Sequence, residues 1–470
     1  MNKVYYKVCI CCLLAMVIMN SKVQCQQTPF LLSEAIRDGV NSYQTIQAKK
    51  NYYSSSQELV KNVRNEYLPN ITAGVQDAYG TTNGQYGPLS IGSVAGVSSS
   101  GPAFNKQSWK AAFGAQYVLN TNWEVFTFGR LQSRIRAYEA RANTDSADIV
   151  QEQFIQGVRI ADAYLNLLIT QIVISTAKAD SARISYVQQV VLAKARNGLI
   201  AGVDSSIVNA QVSSARIAIL DAEASEQQQR NLFTQSINGA PIEYANLDTD
   251  FFFKQVPTLF NSNFDIEQNP QVQWYQQRVT ASERYAGLLR KSITPGVNLF
   301  SIVQTRGSGF DYNYTPEYSD RFSKKLWDGI NPTRTNYVAG VSIAWNIMSL
   351  AKIKHQVTAQ HFLSKGYAAE TDLITDQLKN QSVLADQRIA NTLQRFREVP
   401  VQYKAASDAY LQKSVLYKNG LTDIIDLQQA FFALSKAQTD LKISYIYVWQ
   451  ALLQKAAATG DFNLFISQIR

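Results

Sequence analysis

The sequence predicts a mostly α-helical chain with a minor transmembrane β component, built from one structural unit used twice. Three observations predict it. The second half of the chain echoes the motifs of the first in the same order and at nearly constant spacing. Each half contains one very long stretch, at 130–197 and at 352–419, with almost no helix breaker. Ahead of each such stretch lies a segment that alternates bulky apolar with small or polar side chains. A long internal period means two copies of one structural unit.

The echo is carried by named residues. Arg64-Asn65-Glu66-Tyr67-Leu68-Pro69 is matched by Arg290-Lys291-Ser292-Ile293-Thr294-Pro295, and Trp123 through Arg130 by Trp345 through Lys352. Asn197-Gly198-Leu199 is matched by Asn419-Gly420-Leu421, and Asp204 by Asp426. The division that follows is a leader at 1–25, a first repeat at 26–240 and a second at 241–470.

The leader explains a skew in composition. The 470 residues are 46% hydrophobic with a formal charge of +9, too apolar for a disordered chain. All four Cys and three of the four Met lie in the segment 1–25. There Lys3 and Lys7 precede the apolar run Val8–Met19 and a polar exit, the pattern of a secretory signal peptide too short to span a bilayer. Cleavage after Cys25 suits Val23 and Cys25, which fill the small-residue positions before a cut and leave Gln26 as the new N-terminus. Lipid anchoring of Cys25 is the weaker alternative, because Lys22 and Gln24 stand where a lipoprotein signal wants leucine and a small residue. The leader carries three Lys and no acid, which leaves 42 basic against 36 acidic side chains beyond it. With no thiol there, disulfide scaffolds, zinc clusters and thiol nucleophiles are excluded. No basic cluster with interleaved aromatics points to nucleic acid. No uninterrupted apolar run is long enough to cross a bilayer as a helix, so the chain is not a helical membrane protein.

Within each repeat the elements follow in order. A first helical stretch covers about 32–65 and 268–291. Two strands follow. The better-defined one in the second copy runs Tyr337, Ala339, Val341, Ile343, Trp345, Ile347 on one face. Its counterpart runs Trp109, Ala111, Phe113, Ala115, Tyr117, Leu119. Bulky residues on one face and small or polar ones on the other suit a barrel strand between lipid and water. A half-buried strand of a soluble sandwich shows the same alternation. Trp109, Phe113, Tyr117, Tyr337, Val341, Ile343 and Trp345 are the candidate lipid-facing residues. The loops between the paired strands, Thr81–Gln107 and Thr305–Thr335, favour the barrel, since loops of that length are unusual inside compact domains and ordinary outside outer-membrane barrels.

A long helix then runs from about 130 to 197, roughly 100 Å at about 1.5 Å per residue. Phe154, Val158, Ala161, Leu165, Leu168 and Ile172 mark a coiled-coil seam on it. Its counterpart at 352–419 contains Pro400, which predicts a kink or break. Gly198 and Gly420 turn the chain at each tip, as glycine tolerates positive φ at a helix end. The returning helices carry seams at Val208, Val212, Ala215, Ile219, Ala222 and at Ile424, Leu427, Phe431, Leu434, Leu441, Tyr445, Val448, Leu452, with Gln438 filling one position.

Two strands per repeat give four per chain. Four strands cannot close a barrel, and open edges are not tolerated in lipid, so a membrane-spanning form requires shared closure by symmetry. Two chains give eight strands and three give twelve.

Tyr417 through Ala430, continuing through Leu434, Ala437-Gln438 and Tyr445 to Gly460, resembles the second-repeat tip and returning helix of TolC-like outer-membrane efflux proteins. Leu32-Ser33-Glu34-Ala35-Ile36 with Asn41, and Tyr67-Leu68-Pro69, resemble that family's first helix and entry to the barrel. The resemblance implies a homotrimer in the bacterial outer membrane. A twelve-stranded barrel bathed in outer-membrane lipid would continue as a long periplasmic α-helical tunnel. That tunnel would dock on a periplasmic adaptor protein and an inner-membrane pump of an efflux or type I secretion system. It also implies that tip residues close the tunnel with rings of aspartates. Asp426 falls on one such position; the second is Gln429 here, and a basic gate position is Thr422, so the latch is altered. Asp204 is the first-repeat match, and Asp423 lies beside Thr422 at the tip. Three-fold symmetry would bring three Asp426 carboxylates together and raise their apparent pKa values. The plainer role for Asp426 and Asp204 is to accept backbone N–H bonds at a helix start.

No catalytic, metal or cofactor site is expected. His355 and His361 are six positions apart, roughly 120° around a helix, and share no face. The alternative reading is a soluble periplasmic coiled-coil scaffold or adaptor, although an adaptor should add compact β-domains after its hairpin.

Overall fold

The computed structural model describes residues 30–84, 103–238, 247–260 and 265–469. The expected leader at 1–25 and the centre of the first inter-strand loop lie outside these residues. The elements are α1 (Leu32–Ser42), α2 (Gln44–Arg64), β1 (Asn70–Thr81), β2 (Ala111–Phe126), α3 (Arg130–Arg196), α4 (Gly202–Ser236) and α5 (Thr249–Lys254), then α6 (Pro270–Lys291), β3 (Gly296–Ser308), α7 (Leu326–Ile330), β4 (Arg334–Ala344), α8 (Ser349–Lys418), α9 (Ile424–Thr459) and α10 (Asn463–Ile466). Helix, two strands, long helix and returning helix therefore occur twice in the same order. The fold is mostly α with one small antiparallel sheet, as the sequence predicts.

Two compact units divide the chain. One takes residues 52–145 and 276–369 and contains the sheet; the other takes the described parts of 1–51, 146–275 and 370–470.

In the sheet unit the four strands pair antiparallel in the order β1-β2-β3-β4. Their register explains the alternation seen in sequence. Rows such as Ala73–Leu119–Val303–Tyr337 and Trp123–Leu299–Val341 lie on one face. Rows such as Thr72–Asn120–Ile302–Val338 and Gln76–Gln116–Arg306–Arg334 lie on the other. Every odd-numbered strand residue up to the irregularity after Glu124 shares the apolar face, which carries Ile71, Val75, Tyr79, Leu119, Trp123, Tyr337, Val341 and Ile343 in exposed positions. The irregularity at Glu124/Phe126 then brings Phe126 opposite Val297, onto that same face.

The matched motifs of the two repeats do the same work here. The Trp123 indole N–H donates to Tyr67 O at 2.8 Å, and the Trp345 indole N–H donates to Ile293 O at 2.9 Å. In each case the acceptor lies two residues before the proline that leads into a strand. The loop after β3 is not an open excursion. Phe310, Tyr314 and Phe322 cluster with ring centroids 4.7–6.5 Å apart. Segment 329–331 packs against the apolar face, where Tyr117 Oη donates to Ile330 O at 3.0 Å.

The helical unit has two cores. The larger one gathers Ile160, Tyr164, Leu165, Leu168, Phe233, Phe252, Trp449, Leu452 and Phe465. The Tyr164 hydroxyl donates to Phe30 O and accepts from Asp248 N, each at 2.9 Å; burial pushes its pKa well up. One 18-residue window of α3 has a mean hydropathy of 1.4, enough by composition to cross a membrane, yet half of it is buried inside the protein. The predicted seam residues Ala161, Leu165, Leu168 and Ile172 are in this core. The second core, Ile184, Val191, Val208, Val212, Tyr417, Ile424 and Leu427, joins the ends of both helical hairpins.

Two expectations are sharpened. Of the kink or break expected at Pro400, the break does not occur: α8 runs from Ser349 to Lys418 with the proline inside it. The first helical stretch is two helices, since Tyr43 is extended (φ −66°, ψ 121°) between α1 and α2.

Candidate functional site

The hairpin ends collect the predicted tip residues. Both long helices stop in the same way. Gly198 (φ +71°) accompanies bonds from Gly198 N to Ala195 O and Leu199 N to Lys194 O. Gly420 (φ +76°) accompanies bonds from Gly420 N to Tyr417 O and Leu421 N to Leu416 O. This paired 5→2 and 6→1 closure is the Schellman motif, and it needs a residue that tolerates left-handed backbone. The Leu199 and Leu421 side chains that follow are 71% exposed.

From α3, Lys194 Nζ reaches the carbonyls of Tyr417 and Lys418 at 2.9 and 3.1 Å. A cation there satisfies orphan acceptors and opposes the negative end of α8. The Tyr417 hydroxyl is pushed up in pKa, first by burial and then by the negative charge of Asp204. Further along, Arg183 donates to Gln438 Oε1 at 2.9 Å, which explains the polar residue in an otherwise apolar seam.

Around Asp426 the predicted residues converge. Thr422 Oγ1 donates to Asp426 Oδ2 at 2.8 Å, and Lys413 Nζ donates to the same oxygen. Asp423 is the residue that caps α9, accepting Asp426 N at 2.8 Å. The capping role expected for Asp426 is thus taken by its neighbour. Asp204 does not cap either: the N-cap of α4 is Ala201, which makes no side-chain bond, and Asp204 sits inside the first turn. Gln429 is exposed one turn beyond Asp426.

Sequence patterning does not mark Lys413 as a partner, because it lies upstream on the far side of the turn. It changes the electrostatics. The Asp426 carboxyl is held below the usual carboxylate range, first by the hydrogen bond from Lys413, then by Thr422 and the Lys413 charge. Within one chain this is opposite to the upward shift expected of a carboxylate ring. A depressed native pKa gives a contribution present above the unfolded value and lost as pH falls through the native one. The pair is therefore intact at neutral pH and opens in acid below the ordinary 3.8. Removing the cation in Lys413→Met should move that loss to higher pH. Followed by NMR titration of the Asp426 carboxyl, an unchanged midpoint in the variant contradicts the assignment.

The candidate lipid-facing residues fall on one face. Tyr337, Val341 and Ile343 are strongly exposed in β4. Phe113 and Tyr117 are half-buried, because Gly329 and Ile330 of the loop pack on them. Trp109 and Trp345 stand just outside β2 and β4, exposed at 82% and 56%. His355 and His361 are both exposed on α8. Among the described residues no group of three or more His, Cys, Asp or Glu could hold a metal.

Residues 42–239 match the family model of outer membrane efflux proteins. No curated protein sequence matches the chain. Solved structures do. The outer membrane protein VceC from Vibrio cholerae is similar at TM-score 0.72 and 14% identity, over 91% of this chain and 96% of that one. The CmeC outer membrane channel of Campylobacter jejuni is similar at 0.73 and 12%, over 92% and 85%. The open state of the Neisseria gonorrhoeae MtrE outer membrane channel is similar at 0.69 and 17%, over 91% and 88%. The matched segment contains the strand-entry motif Tyr67-Leu68-Pro69, so the family resemblance is borne out there, and the fold is shared over about nine-tenths of the chain.

Proposed function

We propose that this chain is an outer-membrane exit duct. Three copies close a twelve-stranded barrel in the outer membrane. Their paired helical hairpins continue it as a periplasmic tunnel, and substrates handed over by an inner-membrane pump through a periplasmic adaptor leave passively. A removed leader at 1–25 and two copies of one unit, 26–240 and 241–470, complete the reading.

One observation carries it. Among the described residues the sheet has four strands, with β1 and β4 each paired on one side, and an apolar face that water would not favour. In hydrocarbon an unpaired strand edge leaves peptide groups unsatisfied at several kcal/mol each, so such a sheet is stable only when closed. Three-fold closure reaches twelve strands with one contact type repeated.

The hairpin ends are the adaptor-facing surface in this reading, with the exposed Leu199 and Leu421 presented by their glycine turns. Asp426, tied to Lys413 and Thr422, lines the constriction with Asp423 and Asp204 nearby. Purified protein should run as a heat-resistant trimer and conduct ions in planar bilayers. A monomer free in the periplasmic fraction overturns the proposal. Asp426→Ala should weaken cation preference and divalent-ion block at the constriction, and an unchanged reversal potential and block would remove Asp426 from that role.

A further inference from the structure

One row of the sheet's polar face reads Gln76, Gln116, Arg306 and Arg334 from β1 to β4. Arg306 and Arg334 are direct partners on neighbouring strands, whose backbones run about 4.8 Å apart. Like charges placed opposite one another destabilise a strand pair. Both side chains are exposed, and neither is neutralised from within the sheet. The four strands contain two carboxylates. Asp77 lies on the opposite face, opposite Ala115. Glu124 lies at the far end of β2, paired with Arg130.

Among the described residues neither loop places a carboxylate in an ion pair with Arg306 or Arg334. Residues 82–110 contain Lys106 and Lys110 and no acid. The second loop does carry Asp311, Glu317, Asp320 and Asp328. Its returning segment, however, packs on the apolar side: a side chain added at Gly307 would point into Gly329, Ile330 and Asn331. Asp328 there accepts from Ser323 Oγ at 2.6 Å.

We infer that Arg306 and Arg334 form an anion-binding ring inside the outer mouth of the barrel, six guanidiniums in a closed trimer, for solutes bearing phosphate or carboxylate groups. The inference rests on the closed-barrel reading above, which turns the apolar face to lipid and the arginine row to the lumen. The row sits at the loop end of the strands, away from the ends that lead into the long helices. Guanidinium forks match phosphate and carboxylate geometry, and rings of arginine are a known physical basis for anion preference in pores.

The test is block of single-channel current by inorganic tripolyphosphate, added to each side of a planar bilayer in turn at about 0.1 M salt. Wild-type protein should be blocked from the barrel side, and block should fade in about 1 M salt as screening shortens from about 10 to 3 Å. In Arg306→Gln/Arg334→Gln the half-blocking concentration should rise ~10-fold or more. Arg306→Lys/Arg334→Lys, which keeps the charge, should retain most of the block. Heat-resistant trimers with wild-type conductance establish that the glutamine variant is assembled. Equal block of wild type and that variant, or no salt-sensitive block of wild type, overturns the ring while leaving the channel standing. Wild-type protein that forms no trimer and no channel instead overturns the barrel reading itself.

Discussion

Leu119→Arg is expected to abolish assembly in the membrane, whereas Asn120→Arg, at the next position, should assemble and conduct. Leu119 sits midway along β2 in the apolar row Ala73–Leu119–Val303–Tyr337 and is 46% exposed. A charge at the bilayer midplane on the lipid face of a barrel costs about 2–4 kcal/mol per chain. In the proposed trimer that cost applies three times to one cooperative structure. Asn120 belongs to the polar row Thr72–Asn120–Ile302–Val338, where a guanidinium meets water. The readout is heat-resistant trimer in outer-membrane fractions. Equal tolerance of the two substitutions would mean that the two faces of the sheet do not divide lipid from lumen.

Trp449→Ala is the second large effect, and it acts on the helical unit. Trp449 is 1% exposed, its ring centroid 5.3 Å from Phe252, 5.7 Å from Phe251 and 6.0 Å from Phe465. Its indole N–H donates to Gln255 O at 3.1 Å. Truncating a buried aromatic of this size costs about 3–5 kcal/mol in lost burial and residual cavity. The orphaned carbonyl adds to that unless water reaches it. The apparent melting temperature should fall on the order of 10 °C. Trp449→Phe keeps the volume in part and should fall less. A melting temperature unchanged in Trp449→Ala would show that this cluster does not limit the unit's stability.

Much of this architecture was legible because the chain states it twice. The strand alternation read from Tyr337–Ile343 fixes which residues share a face, since a period of two leaves no freedom once the register is set. Trp123 and Trp345 were conspicuous as a matched pair, and their identical bonds to Tyr67 and Ile293 give that match a physical cause. Gly198 and Gly420 were legible because left-handed closure at a helix end selects glycine.

Other features were not legible, for reasons of chemistry rather than pattern. Pro400 sits inside α8 although its missing N–H argues for a break, and Val399 beside it is buried. The loop after β3 reads as polar and long, yet its aromatics Phe310, Tyr314 and Phe322 find one another within it. At the tip, Lys413 reaches Asp426 through a turn, a relation that no helical spacing encodes. That contact reverses the direction of the Asp426 shift within one chain. Arg306 and Arg334 stand on separate strands with a long loop between them, and only strand register makes them neighbours.

Closure by three copies is tested most directly with disulfides across the strand edges. The chain beyond position 25 contains no cysteine, so introduced thiols report alone. Thr72→Cys or Gly74→Cys on β1 would be combined in turn with Asn336→Cys, Val338→Cys or Gly340→Cys on β4, all on the polar face. After oxidation in the membrane, at least one pair should give a covalent ladder on denaturing gels that ends at three chains. A ladder ending at two, one that continues past three, or no cross-link for any pair contradicts a shared twelve-stranded barrel.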